Sequence, residues 1–276
     1  ASEAFNDLSD NVRVGFRSLH QNNSNTNYAI PVQDGNDGVF SGTARSTWFS
    51  KLFNARGNNN TPLRATLYDT GEYFTSSAAS GPYGPATGDD QLACRQNFAI
   101  LTTDGYWNGE IGTRTIGDQD GVSGLSIENP EDNTDTVRYT RSHPYQDTGT
   151  TTNYSNTLAD VAMKYWKTDL RTDLDNIVPT GASNPAFWQH MVTFGISIGL
   201  KGTVDQGSVA EVLRDGRPRI NGSAVNWPDP TNAEAIATLQ ADPETVGTLG
   251  TTCVATMLKA GHAENALPQT ATATVN

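Results

Sequence analysis

The segment most informative about the architecture runs from Cys94 to Asn108 and reads C-R-Q-N-F-A-I-L-T-T-D-G-Y-W-N. Its apolar run, Phe98 to Leu101, is followed by two threonines and then by Asp104. An apolar run of this length predicts a buried β-strand. Because ligands and ions bind at the carboxyl ends of the strands in open α/β sheets, we expect this strand to present Asp104 to a binding site.

The composition indicates a chain that can bury a sizeable core and that carries a strong negative charge. Of its 276 residues, 36% are hydrophobic and only 17% are charged, and the formal net charge is −12. Phosphate binding needs clustered Lys and Arg, so this balance argues against a nucleic-acid partner. No apolar run approaches the roughly 18–20 residues that a membrane span requires. A polar fraction dominated by Asn, Thr, Ser, Gly and Asp is common in extracytoplasmic proteins, and the acidic balance fits a soluble secreted protein or one that handles cations.

Hydrophobic periodicity predicts alternating helices and strands along the rest of the chain. Helical patterns cover residues 1–10, 46–53, 61–76 and 155–170, and strand patterns cover 12–16 and 188–200. The helix near residue 61 is expected to have Thr61 at its cap and Pro62 in its first turn. The aromatic residues expected in the core are Trp48, Tyr165, Trp166 and Trp188. This order of elements predicts an α/β fold with a mainly parallel sheet.

Residues 108–153 form a long segment rich in Gly, Asp, Asn and Thr, which predicts a loop-rich insertion. Two parts of it are dense in oxygen ligands, D-Q-D-G at residues 118–121 and D-N-T-D at residues 132–135. Neither completes a calcium loop of the EF-hand type, which needs a glutamate at its twelfth position. Ordinary turn residues are therefore the favoured interpretation, and a calcium site is the alternative.

Two further features leave alternatives open. Residues 195–199 read G-I-S-I-G, which fits the G-x-S-x-G nucleophile elbow of serine hydrolases. Ser197, however, lies inside an apolar run of period two, so a strand residue is the favoured interpretation and a hydrolase the alternative. Cys94 and Cys253 are the two cysteines, and the sequence allows either one disulfide or two buried thiols.

Several longer motifs, taken together and in order, resemble one protein family. These are T-P-L-R-A-T-L at 61–67, N-F-A-I-L-T-T-D-G-Y-W-N at 97–108, Y-S-N-T-L-A-D-V-A-M-K-Y-W-K at 154–167, F-W-Q-H-M-V-T-F-G-I-S-I-G-L at 187–200 and N-W-P-D-P at 226–230. They resemble the amino-terminal region of PilY-type proteins, the adhesins and assembly factors at the tip of type IV pili of Gram-negative bacteria. The resemblance covers roughly residues 1–230.

The resemblance implies a von Willebrand factor A-like domain over residues 1–230, with 108–153 as an insertion and 231–276 unassigned. Such domains hold Mg²⁺ or Ca²⁺ through a D-x-S-x-S segment, a threonine and an aspartate. Thr61 matches the threonine and Asp104 the aspartate. The D-x-S-x-S segment is not in this chain, and the resemblance implies that the chain opens inside the first helix of such a domain. An upstream segment of the same precursor is therefore an expected partner.

The function that the resemblance implies is protein binding at the pilus and not catalysis. In one version, a cation held by Thr61 and Asp104 leaves a coordination position for a carboxylate of a host or surface receptor. In the alternative, the domain docks to minor pilins at the pilus tip as a structural cap, and the metal is dispensable. The implied location is the pilus tip, the cell surface or the periplasm of a Gram-negative bacterium.

Overall fold

The computed structural model contains ten helices and strands among the residues that it describes. The described residues are 2–8, 11–19, 27–30, 38–56, 60–84, 93–103, 111–130, 132–141, 154–181, 184–197, 219–220 and 222–224. Within them, ten elements are α1 (Ser2–Asn6), α2 (Gly42–Asn54), α3 (Leu63–Phe74), β1 (Asn97–Thr103), β2 (Ile127–Asn129), β3 (Asp132–Val137), α4 (Leu158–Lys167), β4 (Met191–Ser197), β5 (Arg219–Ile220) and β6 (Ser223–Ala224).

 None of the described helices is long and apolar enough to cross a bilayer.

The centre of the fold is a parallel pair of strands, β1 and β4. Their register runs from Asn97 opposite Met191 to Thr103 opposite Ser197. Parallel neighbours need a crossover connection, and α4 lies between the two strands in the sequence. A parallel sheet with helices packed on it agrees with the predicted α/β class.

Helices α3 and α4 cover one face of this pair and form the main core with it. The buried side chains of this core are Leu63, Leu67, Phe74, Ala99, Leu101, Ile116, Leu158, Val161, Ala162, Tyr165, Leu170 and Met191. Apolar residues three and four positions apart on each helix supply the packing face, as the periodicity predicts. Trp48, Tyr165, Trp166 and Trp188 are all buried, so their prediction as core residues is confirmed.

The opposite face of the sheet is apolar and open to solvent among the described residues. Phe98 and Ile100 on β1 are 50% and 53% exposed, and Ile196 on β4 is 42% exposed. The Phe98 ring lies 6.1 Å from the Phe194 ring on this face. The prediction of β1 as a buried strand therefore holds for one face only in the described part of the chain, because α3 and α4 shield alternate residues of the strand.

The two central helices begin in different ways. At the start of α4, the Thr157 side chain accepts from the Asp160 N–H, and the Asp160 carboxylate accepts from the Thr157 N–H, a reciprocal capping box. At the start of α3, Pro62 occupies the cap position and no side chain caps the helix. The prediction of Thr61 as the cap is wrong by one residue, since Thr61 contributes its backbone oxygen to the Leu63 N–H at 2.9 Å.

The amino-terminal part folds differently from its sequence pattern. The strand predicted for residues 12–16 is wrong: Arg13 and Phe16 make isolated bridges to Val39 and Tyr28 and form no continuous strand. The predicted helix of residues 1–10 is present only as α1, and α2 begins before the predicted residue 46. In this region Trp48 packs against the rings of Phe5 and Phe40. The alternation of apolar and polar residues in the sequence contains no information about that packing.

The insertion is more ordered than a loop. Strands β2 and β3 pair as an antiparallel hairpin, and Ile116, Ile127 and Tyr139 are buried in the core. The predicted loop-rich insertion over residues 108–153 thus contains a short hairpin in its described part, which the sequence pattern did not indicate. Residues 108–110 and 142–153 lie outside the described residues, as do Asp104, Cys253 and residues 231–276.

Candidate cation sites

The first candidate site is the rim at the carboxyl ends of β1 and β4. Thr103 and Ser197 are the last residues of the two strands and lie opposite each other in the register. Thr103 is buried, which ties the end of β1 to the body of the domain. Asp104 follows Thr103 directly in the sequence but lies outside the described residues. Its delivery to this rim stays a prediction.

Thr61 lies towards the same end of the sheet. Trp188 Nε1 donates to the backbone oxygen of Trp166 at 2.9 Å, which places the end of α4 beside the start of β4. The start of α4 therefore points towards the carboxyl ends of the strands. Arg64 Nη1 donates to the backbone oxygen of Asn156 at 2.9 Å, so the first turn of α3 lies beside that start. Thr61 immediately precedes this turn, and its pairing with Asp104 stays a prediction.

The second candidate site is an acidic cluster that joins the insertion to α4. One carboxylate oxygen from each of Asp118, Asp120 and Asp160 lies within 4.8 Å of the others. Oxygen ligands of this kind suit hard divalent cations. Asp120 and Asp160 are buried, so the interpretation of Asp118 to Gly121 as a solvated turn is incomplete.

Backbone donors hold the carboxylates of this cluster in place. Asp118 Oδ1 accepts from the Gly121 N–H at 2.6 Å, which closes the loop on itself. Asp160 Oδ1 accepts from the Gln119 N–H at 2.7 Å. Its other oxygen, Oδ2, accepts from the N–H and the hydroxyl of Thr157, each at 2.8 Å. Asp160 thus caps its own helix and ties the loop to it.

A lysine side chain reaches into the same loop. Lys167 Nζ donates to the backbone oxygens of Gln119 at 2.6 Å and Val122 at 2.9 Å. Burial lowers the pKa of Lys167, and the charges of the three aspartates act in the opposite direction. A cationic side chain of α4 thus binds the backbone of the loop that carries Asp118 and Asp120. Sequence reasoning singled out the aspartates at 118 and 120 but missed Asp160 and Lys167.

The remaining predicted sites are partly outside the described residues. Ser197 is the last residue of β4, which agrees with its prediction as a strand residue. Cys94 is partly buried, and its pairing with Cys253 is not tested because Cys253 lies outside the described residues. The D-N-T-D motif at residues 132–135 lies in β3.

Comparison with known proteins gives similarity to one named protein from several strains. The chain is 30% identical over 258 residues to the type IV pilus biogenesis factor PilY1 of Pseudomonas aeruginosa strain PAK, covering 84% of this chain and 21% of that protein. It is 29% identical over 270 residues to PilY1 of strain PAO1, covering 85% of this chain and 21% of that protein. It is 30% identical over 216 residues to PilY1 of strain UCBPP-PA14, covering 72% of this chain and 17% of that protein.

The chain thus spans about a fifth of the length of the curated relatives it matches. No family model matches the chain, and no solved structure matches it. The similarity to PilY1 extends over most of this chain and supports its resemblance to the PilY-type family.

Proposed function

We propose that this chain is part of a PilY-type type IV pilus biogenesis factor and acts by binding other proteins, not by catalysis. The observation that carries the proposal is the 30% identity to PilY1 over 84% of this chain. The relatives are named as biogenesis factors, a name that describes assembly and no chemical reaction. The proposed location is at the pilus, the cell surface or the periplasm of a Gram-negative bacterium.

The proposed fold of the domain is that of von Willebrand factor A. The parallel pair β1 and β4, with α3 and α4 on one face, supports it. A D-x-S-x-S segment from the same precursor would complete the cation site in this proposal. Such a segment would be a partner of the chain described above.

In the adhesion form of the proposal, Thr61 and Asp104 hold Mg²⁺ or Ca²⁺. The common rim formed by Thr103 and Ser197 supports it, since the residue after Thr103 is the aspartate. The position of Thr61 before the first turn of α3 supports it as well. Hydroxyl and carboxylate oxygens are suitable ligands for either cation. A carboxylate of the receptor would complete the coordination.

A second form of the proposal is a structural cap that docks to minor pilins without a metal ion. The open apolar face formed by Phe98, Ile100 and Ile196 favours it, because exposed apolar patches mark surfaces that bind proteins. Both forms place the chain at the pilus, and they differ in whether a cation is needed.

The experiment that separates these forms replaces Asp104 by alanine in the full-length gene of the bacterium that carries it. In the adhesion form, Asp104→Ala abolishes Mg²⁺- or Ca²⁺-dependent attachment to a surface while the number of surface pili stays unchanged. Asp175→Ala, at an exposed position in a loop, is the matched control and should leave both quantities unchanged. Attachment that is unaffected by Asp104→Ala or by a chelator would leave only the structural cap.

Deletion of the region that encodes these residues tests the wider proposal. A loss of surface pili, counted by electron microscopy, is the expected result for a part of a biogenesis factor. An unchanged pilus number together with unchanged attachment would refute a role at the pilus. Labelling of Ser197 by a fluorophosphonate probe would instead support the hydrolase alternative.

A further inference from the structure

One asparagine, Asn156, joins three parts of the fold next to the rim of the sheet. We infer that Asn156 is a positioning residue for the proposed cation site: it fastens the insertion and the first turn of α3 to the start of α4, and Thr61 lies just before that turn. The inference rests on the adhesion form of the proposed function, because only that form assigns a cation to Thr61.

The backbone of Asn156 has a conformation that residues with a side chain rarely adopt. Its φ angle is 61°, and no other non-glycine residue in the described part of the chain has a positive φ. This left-handed region is unfavourable for residues with a Cβ atom, although asparagine tolerates it better than most. Such conformations persist where surrounding contacts hold them, and they are frequent at functional sites. The contacts of Asn156 therefore indicate what the conformation does.

Two of these contacts join Asn156 to Gly117 in the insertion. The Asn156 N–H donates to the backbone oxygen of Gly117 at 3.1 Å, and Asn156 Oδ1 accepts from the Gly117 N–H at 3.0 Å. Gly117 directly follows Ile116, which is buried in the main core, and directly precedes the D-Q-D-G loop. The reciprocal pair therefore fixes the insertion at the point where it leaves the core.

A third contact joins Asn156 to α3. Arg64 Nη1 donates to the backbone oxygen of Asn156 at 2.9 Å. Arg64 is the second residue of α3, and the described structure shows no side-chain cap at this end of the helix. The contact with Asn156 therefore ties the start of α3 to the start of α4. Thr61 is held with it, since only Pro62 separates Thr61 from the helix.

Helix α4 gives these contacts a rigid support. The next residue, Thr157, caps α4 and shares a capping box with Asp160. Val161 of the same helix is buried in the main core with Leu101 of β1. Metal affinity depends on how precisely the ligands are held, so residues behind the ligands affect it without touching the ion. Asn156 stands in this relation to the turn that follows Thr61.

The test uses three variants in the full-length gene of the bacterium that carries it. Asn156→Gly removes Oδ1 and keeps the left-handed backbone accessible, so the contact with Gly117 is lost without added strain. Asn156→Asp keeps an oxygen at the same position and also tolerates this backbone. Asn54→Gly, at the exposed last residue of α2, is the matched control. Mg²⁺ and Ca²⁺ are each supplied alone over a range of concentrations, and attachment to a surface and the number of surface pili are measured.

The expected result is a shift in the cation concentration that attachment requires. Asn156→Gly should raise the concentration for half-maximal attachment by about tenfold, the lower end for residues that support metal ligands, at an unchanged number of pili. Asn156→Asp should return this concentration close to that of the unchanged bacterium, and Asn54→Gly should not alter it. A residue with only a structural role would instead lower the plateau of attachment, because less protein reaches the pilus, and would leave the half-maximal concentration in place.

Three results would overturn the inference. If attachment depends on a cation and Asn156→Gly keeps the half-maximal concentration, the positioning role is refuted and the adhesion form stands. If Asn156→Gly and Asn156→Asp raise that concentration equally, the Oδ1 contact is not the cause, and the positioning role is again refuted. If the unchanged bacterium attaches without any cation, the adhesion form itself is refuted, and the positioning role with it.

Discussion

Replacing Gly71 by alanine tests the packing of α3 against α4 most directly. A Cβ atom at this position would lie well inside 3.0 Å of three ring carbons of Tyr165, a separation that real Cβ atoms do not reach. The ring has little room to move, because its hydroxyl donates to Glu72 Oε1 at 2.6 Å and its edge packs on Tyr68. Tyr165 is also buried in the main core.

Two opposing effects set the size of the change. Alanine is favoured over glycine inside a helix by about 1 kcal/mol. Forcing a methyl group into a packed core costs about 1–3 kcal/mol, and the anchored ring places Gly71→Ala in the upper half of that range. We therefore expect a net loss of about 1–2 kcal/mol in the free energy of unfolding. For a chain of this size that corresponds to a fall in Tm of about 2–8 °C.

Urea and thermal unfolding followed by circular dichroism measure this change. The control is Gly71→Ala in a Tyr165→Ala background, where the ring is absent and helix propensity alone should raise stability by about 1 kcal/mol. The opposite signs in the two backgrounds are the signature of the contact. A rise in stability on Gly71→Ala in the native background would refute the reasoning.

Two further changes probe the capping box and a buried histidine. Asp160→Asn should lower the free energy of unfolding, measured by urea denaturation, by about 2–3 kcal/mol, since a charged acceptor of three hydrogen bonds is lost. The exposed control Asp175→Asn should change the free energy of unfolding by no more than about 0.5 kcal/mol. Equal losses in the two variants would contradict this role of Asp160. Burial lowers the pKa of His190, whose ring nitrogens contact the Trp188 oxygen at 2.7 Å and the Asn184 amide at 2.9 Å. The folded state therefore disfavours the protonated ring. The contribution of His190 to the free energy of unfolding should be fully present above the unfolded pKa of about 6.5 and should fall as the pH drops below it, by up to about 1.4 kcal/mol per pH unit. If His190→Gln loses stability between pH 7 and pH 5 as steeply as the unchanged chain does, other groups cause the fall.

The central strands could be predicted from the sequence because their signals are local. The apolar runs of β1 and β4 are long enough to identify each as a strand, and the helical spacing of α4 is regular. Which face of the sheet is covered could not be predicted. Phe98 and Ile100 are as apolar as the buried Ala99 and Leu101, and only the placement of α3 and α4 distinguishes the two faces.

The acidic cluster could be predicted only in part from local sequence. Asp118 and Asp120 stand out in the sequence by their spacing, but Asp160 and Lys167 lie about forty residues further along the chain. They meet the loop because the insertion folds back onto α4, where the Gln119 N–H donates to Asp160 Oδ1 at 2.7 Å and Lys167 Nζ donates to the Gln119 backbone oxygen at 2.6 Å. The T-L-A-D capping pattern at residues 157–160 was a local signal for a buried Asp160.

The open apolar face of β1 and β4 also bears on the colloidal behaviour of the chain. Phe98, Ile100 and Ile196 favour association between molecules through this face. The net charge of −12 opposes it, since like-charged molecules repel each other in solution. Salt shortens the range of that repulsion to about 10 Å at 0.1 M and leaves the apolar attraction in place. Ionic strength therefore controls how readily the purified chain stays monomeric, and dilute buffers are the better choice for storing it.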